Sequence, residues 1–158
     1  MIVIDNGGDG DYQFDDPRIK VYCHAEQPGA SFARNQGLQY ATGDLVCFFD
    51  DDDDMFPRYL ERFIDAFRSN PKAKMVRCGM YVTSVQKNFT FATPECCLRR
   101  RFAKPVWVNK GPGQDQRYFR HLIKLYGWSE QRGDIVTLNE VLCRANADPN
   151  GGLRDGKY

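Results

Sequence analysis

A continuous apolar run, Leu45 to Phe49, stops on five consecutive aspartates, Asp50 to Asp54. Adjacent carboxylates repel one another and resist ionising together. A chain tolerates that density only where water solvates the charges or a cation gathers them. The apolar run has the make-up of a strand buried on both faces of a parallel sheet. The residues around it follow the same grammar. Ile2-Val3-Ile4 reads as a buried strand ending in the turn Asp5-Asn6-Gly7-Gly8. Arg18 to Tyr22 predicts a second short strand, and Gln27-Pro28-Gly29 a turn. Ser31 is placed to cap a helix that runs through Phe32, Leu38 and Tyr40 and stops near Gly43. Pro57 then opens a helix with the stripe Tyr59, Leu60, Phe63, Ile64 and Phe67, closed by Asn70-Pro71. Strand and helix alternate, which is the pattern of an α/β fold with a mainly parallel sheet.

The second half changes character. Met75 to Val85 and Phe89 to Thr93 predict strands that pair as a hairpin. Gly111-Pro112-Gly113 is a loop, and Gln116 to Tyr126 a helix with Tyr118, Phe119, Leu122, Ile123 and Leu125 apolar. Ile135 to Leu138 and Val141 to Cys143 are strand-like, and the Gly- and Asn-rich stretch 146–158 is an irregular tail. A length of 158 residues suits one domain with one core. The expected division is a first half over 1–70, a second half over 71–145 and the tail.

A chain that is 42% hydrophobic and 27% charged belongs with soluble globular proteins. Its net charge of +1 supports no bulk attraction to nucleic acid. No apolar stretch is long enough to cross a bilayer, and Met1 to Gly10 lacks the basic and apolar regions of a signal peptide. Six cysteines include no C-x-x-C pair, so they read as reduced, mostly buried thiols of a cytoplasmic protein.

In an open parallel sheet, ligands bind beyond the carboxyl ends of the strands. Asp5-Asn6 and Asp50 to Asp54 both fall at such ends. Side chains alternate along an extended segment, so Asp50 and Asp52 face one ligand while Asp51 turns away. Hard carboxylate oxygens suit Mg²⁺ or Mn²⁺, usually shared with substrate phosphates. The plainer reading is a solvated loop whose charges favour the dipole of the helix after Pro57. Asp53 and Asp54 are assigned to that second task.

An EF-hand is excluded, because Met55 stands where its loop needs glycine and Pro57 interrupts it. A phosphatase with Asp50 as nucleophile remains open, and a receiver-type phosphoacceptor less so. Asp115 reads either as a carboxylate base or as the N-cap of the helix from Gln116. Arg99-Arg100-Arg101 with Lys104 is a basic patch, a solvated loop or a contact for lipid phosphates or an anionic membrane surface. Trp107 and Trp128 read as core residues rather than sugar platforms. His24 and His121 have no metal-ligand spacing.

The stretch from Ala30 to Phe63 resembles the core of the inverting family-two glycosyltransferases of the GT-A fold. The family pattern is ARN-x-G, A-x-G-(E/D), an apolar strand, D-x-D-D and a following proline. Here these are Ala33-Arg34-Asn35 with Gly37, Ala41-Thr42-Gly43-Asp44, Asp50 to Asp53, and Pro57, in register without a gap. Ile4 to Gly10 resembles the family's V-D-(D/N)-G-S-x-D turn. Gln114-Asp115 resembles its E-D element opening a helix, with glutamine in place of glutamate. The likeness runs over about residues 1–145.

The resemblance implies a Rossmann-like GT-A three-layer α/β sandwich with a mainly parallel mixed sheet. It implies a Mn²⁺- or Mg²⁺-dependent enzyme that moves a sugar from a nucleoside-diphosphate donor, of UDP type, to a carbohydrate or lipid-linked hydroxyl with inversion. Asp50 and Asp52 would be the metal-binding DXD pair, with Asp50 also near the ribose. Asp5 and Asn6 would lie by the base, Arg34 and Asn35 near the nucleotide, and Asp115 would be the general base. On the resemblance, 1–70 is the nucleotide and metal half and 71–145 the acceptor half, and the implied partners are the donor and the acceptor. The basic patch at Arg99 to Lys104 adds a membrane surface, a second copy of the chain is a further expected partner, and the net charge points to no nucleic acid. The family pattern begins with a further strand and helix of about 30 residues ahead of the Asp5 turn. The resemblance therefore also implies a chain lacking its first β-α unit, either active or serving as a nucleotide- or metal-binding module.

Overall fold

The computed structural model describes residues 1–7, 12–24, 29–82, 85–87, 91–108 and 113–145. The chain divides into two compact units that interleave along the sequence. The first comprises 1–46 and 99–126, the second 47–98 and 127–158.

In the first unit, strand β1 (Ile2–Asp5) pairs in parallel with β2 (Lys20–Cys23), Ile2 opposite Lys20 and Asp5 opposite Cys23. Helix α1 (Ala30–Tyr40) packs on β1. Gly37 turns towards that strand: a Cβ built there would lie 3.7 Å from Ile4 Cγ1. The helix starts earlier than expected, capped at Gly29 rather than Ser31. Gly29 takes φ of +117°, a backbone region open to glycine and strained for serine. Ser31 is instead a buried residue of the first turn. The chain leaves α1 at Ala41 in extended conformation, two residues before Gly43.

Helix α3 (Gln114–Tyr126) buries Tyr118, Phe119 and Leu122, the i, i+1, i+4 face expected of an amphipathic helix. Trp107 stacks on Tyr118 with ring centroids 3.9 Å apart and meets Phe119 edge-on. Phe102 meets Tyr126 in the same way.

Strand β3 (Leu45–Cys47) leads out of the first unit and is shorter than the five-residue run. Phe48 and Phe49 lie beyond it, so two residues separate the strand from Asp50. Strand β4 (Asp53–Met55) follows, then helix α2 (Tyr59–Ser69). Pro57 does not open α2. It occupies a turn, and Arg58 precedes the helix with φ of +72°. Proline's fixed φ and missing N–H suit a turn position as well as a helical first turn. Helix α2 buries Tyr59, Phe63, Ala66 and Phe67, and Asn70 closes it by donating its backbone and side-chain N–H groups to the Ala66 carbonyl.

The second unit is built on β5 (Met75–Val82), which pairs in parallel with β8 (Ile135–Ala145). Antiparallel ladders flank this pair. Strand β6 (Val85–Lys87) forms a hairpin with the end of β5, β7 (Cys96–Arg99) pairs with the start of β5 along the same edge, opposite β8, and β4 pairs with β8. The sheet is therefore mixed. Strand β8 unites the two segments predicted around Asn139, at the cost of register shifts opposite Arg77 to Met80. Met75, Val76, Cys78, Cys96, Cys97 and Leu98 are fully buried, as befits strands flanked on both sides. Thr93–Glu95 is a 3₁₀ turn rather than the end of a strand, because Pro94 removes a ladder donor. Asn88 to Thr90, Gly111-Pro112 and the tail 146–158 lie outside the described residues.

All six cysteines are free thiols, four of them buried, and Trp107 and Trp128 are core residues, as the composition suggested. Among the described residues, no helix is long and apolar enough to cross a membrane.

Candidate functional site

The aspartate run resolves into a turn and a strand. The Asp53 N–H donates to the Asp50 carbonyl at 3.2 Å, closing a four-residue turn with Asp51 and Asp52 at its corners. That turn breaks the alternation expected of an extended segment. Asp50, Asp52 and Asp53 each bring a carboxylate oxygen within 4.8 Å of the others. Asp50 and Asp53 are half-buried, Asp52 exposed. Three hard anionic donors at that spacing, open to solvent on one side, fit a divalent cation that keeps part of its shell for water or phosphate oxygens.

Asp53 is the residue that sequence reasoning misplaced. The sequence reading gives it to the helix dipole, yet β4 holds it opposite Ala145 with its carboxylate beside those of Asp50 and Asp52. Asp54, next along β4, faces Arg144 at 3.8 Å in an exposed pair. Residue type does not separate Asp53 from Asp54 in an unbroken run of aspartates; the signal that could have done so is the family pattern D-x-D-D, which ends on Asp53. The difference comes from pairing with a strand some 90 residues on.

The remaining candidates belong to the first unit. Asp5 ends β1; its Oδ1 accepts the Gly7 N–H at 3.2 Å, and its carbonyl accepts the His24 N–H at 2.7 Å. Asn6 donates its side-chain amide to the Gly29 carbonyl at 2.9 Å, fastening the turn after β1 to the start of α1. The turn therefore has a fixed shape, which an aspartate at position 6 would lack, having no N–H to donate.

Arg34 and Asn35 share a focus. Asn35 donates Nδ2 to the Trp107 carbonyl and accepts the Trp107 N–H at Oδ1, both at 3.0 Å. This two-way bond imitates a strand pairing and pins the loop before α3 to α1. Arg34 is buried at 8% exposure, with its guanidinium 4.7 Å from the centroid of the Trp107 ring. A cation over an indole face is favourable, more so when shielded from water. Arg34 is thus no surface residue, and the Arg34–Trp107–Tyr118 stack is a constellation that spacing alone did not reveal.

Asp115 is the second residue of α3, half-buried in its first turn. The helix begins at Gln114, so Asp115 is not its N-cap; Gly113 precedes it with φ of +76°. Its charge still meets the positive end of the helix dipole. Ser31 Oγ donates to Gln114 Oε1, tying the first turns of α1 and α3 together. The first unit therefore gathers Asp5 and Asn6 by the start of α1, and Arg34 and Asn35 about Trp107. The second gathers Asp50 and Asp52, with Asp53 added.

The family model for glycosyl transferase family 2 matches residues 2–93, more than half of the sequence. The chain belongs to glycosyl transferase family 2. The glucosyl-dolichyl phosphate glucuronosyltransferase of Haloferax volcanii is 35% identical to this family-2 chain over 58 residues, 37% of this chain and 18% of that protein. The matches to three curated relatives span between 18% and 27% of those proteins. Glucosyl-3-phosphoglycerate synthase of Mycobacterium tuberculosis superposes with a TM-score of 0.69 at 15% identity, over 94% of this chain and 61% of that one. The mannosyltransferase PcManGT of Pyrobaculum calidifontis gives 0.62 at 16% identity, over 84% and 41%. At such identities the likeness concerns the fold, which is the α/β arrangement of the GT-A glycosyltransferases. The motifs from the Asp5 turn to Pro57 lie inside the matched residues, and the Gln114-Asp115 element lies outside them.

Proposed function

We propose that this family-2 chain transfers a sugar from a nucleoside diphosphate to a hydroxyl acceptor, with inversion at the anomeric carbon. The observation that carries the reading is the Asp50–Asp52–Asp53 carboxylate cluster in a chain of this family. Asp50 and Asp52, joined by Asp53, would hold Mn²⁺ or Mg²⁺. The bound ion would neutralise charge that gathers on the departing diphosphate. Two structural neighbours support the choice of ion and donor class. The Pyrobaculum mannosyltransferase was solved with GDP-mannose and Mn²⁺, and the mycobacterial synthase with Mn²⁺, UDP-glucose and phosphoglyceric acid.

The chain's own residues take the remaining tasks. Asp5 and Asn6 shape the turn that meets the base. Asn35 positions the Trp107 loop, and Arg34 adds a buried positive charge that favours an anionic nucleotide. Asp115 accepts the proton of the acceptor hydroxyl as its oxygen bonds the anomeric carbon. The bond from that carbon to the diphosphate oxygen breaks, and the diphosphate leaves with the electron pair. A single displacement inverts the centre.

Calorimetry with UDP and GDP, with and without Mn²⁺, on the wild type and Asp52→Ala tests the reading. Metal-dependent binding that disappears in the variant supports it. No binding under any condition removes it. Tight binding with no donor turnover against hydroxyl acceptors would make the chain a nucleotide-binding module of the family.

A further inference from the structure

Charge is distributed very unevenly along this nearly neutral chain. Residues 99–126 contain eight Lys or Arg and a single acid, Asp115, a net of +7. The other residues carry −6 in a chain of net +1. The basic segment is a continuous part of the first unit. Its helix concentrates the charge further. Arg117, Arg120, His121 and Lys124 fall at i, i+3, i+4 and i+7, the spacing of one helical face. All four are exposed, while Tyr118, Phe119 and Leu122 on the opposite face are buried. No acidic residue lies on the basic stripe.

The loop before the helix continues the pattern. The Lys104 N–H donates to the Tyr118 hydroxyl at 3.2 Å, and Phe102 packs on Tyr126, so the loop runs along α3. Arg100, Arg101 and Lys104 are exposed on it. Asp44 is the acid that lines the recess beside Arg99, Arg100 and Arg101. Among the described residues, no carboxylate pairs with Arg101, Lys104, Arg120 or Lys124, whereas Arg58, Arg62, Arg77 and Arg132 of the second unit all have ion-pair partners. Val106, Val108 and Leu125 stand 42%, 52% and 55% exposed among these cations.

We propose that this face of the first unit, α3 together with the loop 100–108, docks on the surface of an anionic phospholipid bilayer. A basic helical face draws the chain to negatively charged headgroups, at about 1 kcal/mol per Lys or Arg close to the surface. The exposed valines and leucine add what a purely electrostatic partner would not reward, burial of apolar surface at the headgroup boundary. A nucleic acid would use the cations and leave the apolar side chains without a role.

The test is flotation of the 158-residue chain with large vesicles, either wholly phosphatidylcholine or containing 30% phosphatidylglycerol. The chain floats with the anionic vesicles and not with the neutral ones, and 0.5 M NaCl releases it. The triple variant Arg117→Gln/Arg120→Gln/Lys124→Gln loses affinity by about a hundredfold, three cations at the per-residue value above. A second triple variant, Val106→Ser/Val108→Ser/Leu125→Ser, keeps all charges and loses at least threefold. Circular dichroism of each variant confirms that α3 persists. Absence of flotation with anionic vesicles, equal binding to both compositions, or an unchanged affinity in the charge variant would each overturn the proposal. Preferential capture by RNA in competition would do so too. Nucleotide binding plays no part in the readout, so failure here and failure of the glycosyl-transfer reading are separate results.

Discussion

Asp53 and Asp54 are chemically identical neighbours with different tasks. Strand pairing with β8 places Asp53 in the carboxylate cluster and Asp54 by Arg144. Replacing Asp53 with Asn should weaken Mn²⁺ binding by about tenfold, the effect of losing one anionic ligand, while Asp54→Asn changes it by less than about twofold. Isothermal titration of both variants with MnCl₂ decides, and equal losses would return Asp53 to the helix dipole. The cysteines are sorted by burial in the same way. Burial pushes the Cys96 and Cys97 thiols well above their ordinary range, and a hydrogen bond with Cys78 together with burial does so for Cys143. A raised thiol pKa leaves little thiolate at pH 8, and only the thiolate reacts. Ellman's reagent on the native chain should therefore label exposed Cys23 rapidly and spare Cys96, Cys97 and Cys143 until denaturant is added. Tyr59 offers a third residue-level check. Its buried hydroxyl donates to the Pro94 carbonyl at 2.7 Å, so Tyr59→Phe should cost about 1 kcal/mol in urea unfolding.

At the scale of elements, α1 was legible because the Gln27-Pro28-Gly29 turn and Gly43 bracket a helical segment, but its start was misread. Ser31 carries the strongest capping propensity, and the +117° φ at position 29 overrode it. Gly37 lies mid-helix, where glycine costs backbone entropy, and a Cβ there meets Ile4 at ordinary contact distance. Gly37→Ala should stabilise the chain by about 0.5–1 kcal/mol, read as a higher denaturant midpoint. A rise of that size would confirm that the glycine is not needed for packing on β1, and a fall would show that the gap is tighter than 3.7 Å. Helix α2 and strand β8 are linked by Arg62 and Glu140, a part-exposed ion pair whose hydrogen bonds hold the Glu140 carboxyl below its ordinary value of 4.5. A depressed carboxylate contributes stability above its unfolded pKa, and the contribution fades as pH falls through the folded value. Urea midpoints of wild type and Glu140→Gln should differ modestly at pH 7, wild type higher, and draw together as pH falls below the ordinary carboxylate range. A gap that does not narrow on acidification would exclude the ion pair as its source.

For the whole molecule, the +7 segment and the −6 remainder predict attraction between copies when salt is low, because screening lengths then exceed the size of the patches. Light scattering at pH 7 should report association at 10 mM NaCl that disperses by about 300 mM. Scattering independent of salt would mean that the charges are mutually neutralised within each chain. The sequence by itself determined the α/β class, the family and the position of the Asp50 turn, since these rest on local pattern: apolar runs, turn residues and short motifs in fixed register. It also determined that most cysteines and both tryptophans go inside, through their preference for apolar surroundings, without singling out Cys23 as exposed. Only the tertiary structure decided that Asp53 joins the carboxylate cluster while Asp54 meets Arg144, that Arg34 is buried over Trp107, and that Asn35 clamps the loop before α3. Each of those depends on partners distant in the chain, β8 for Asp53 and residue 107 for Arg34 and Asn35. A linear pattern carries periodicity and turn chemistry over a few residues, whereas hydrogen bonds and ring contacts between distant segments exist only once the chain has closed on itself.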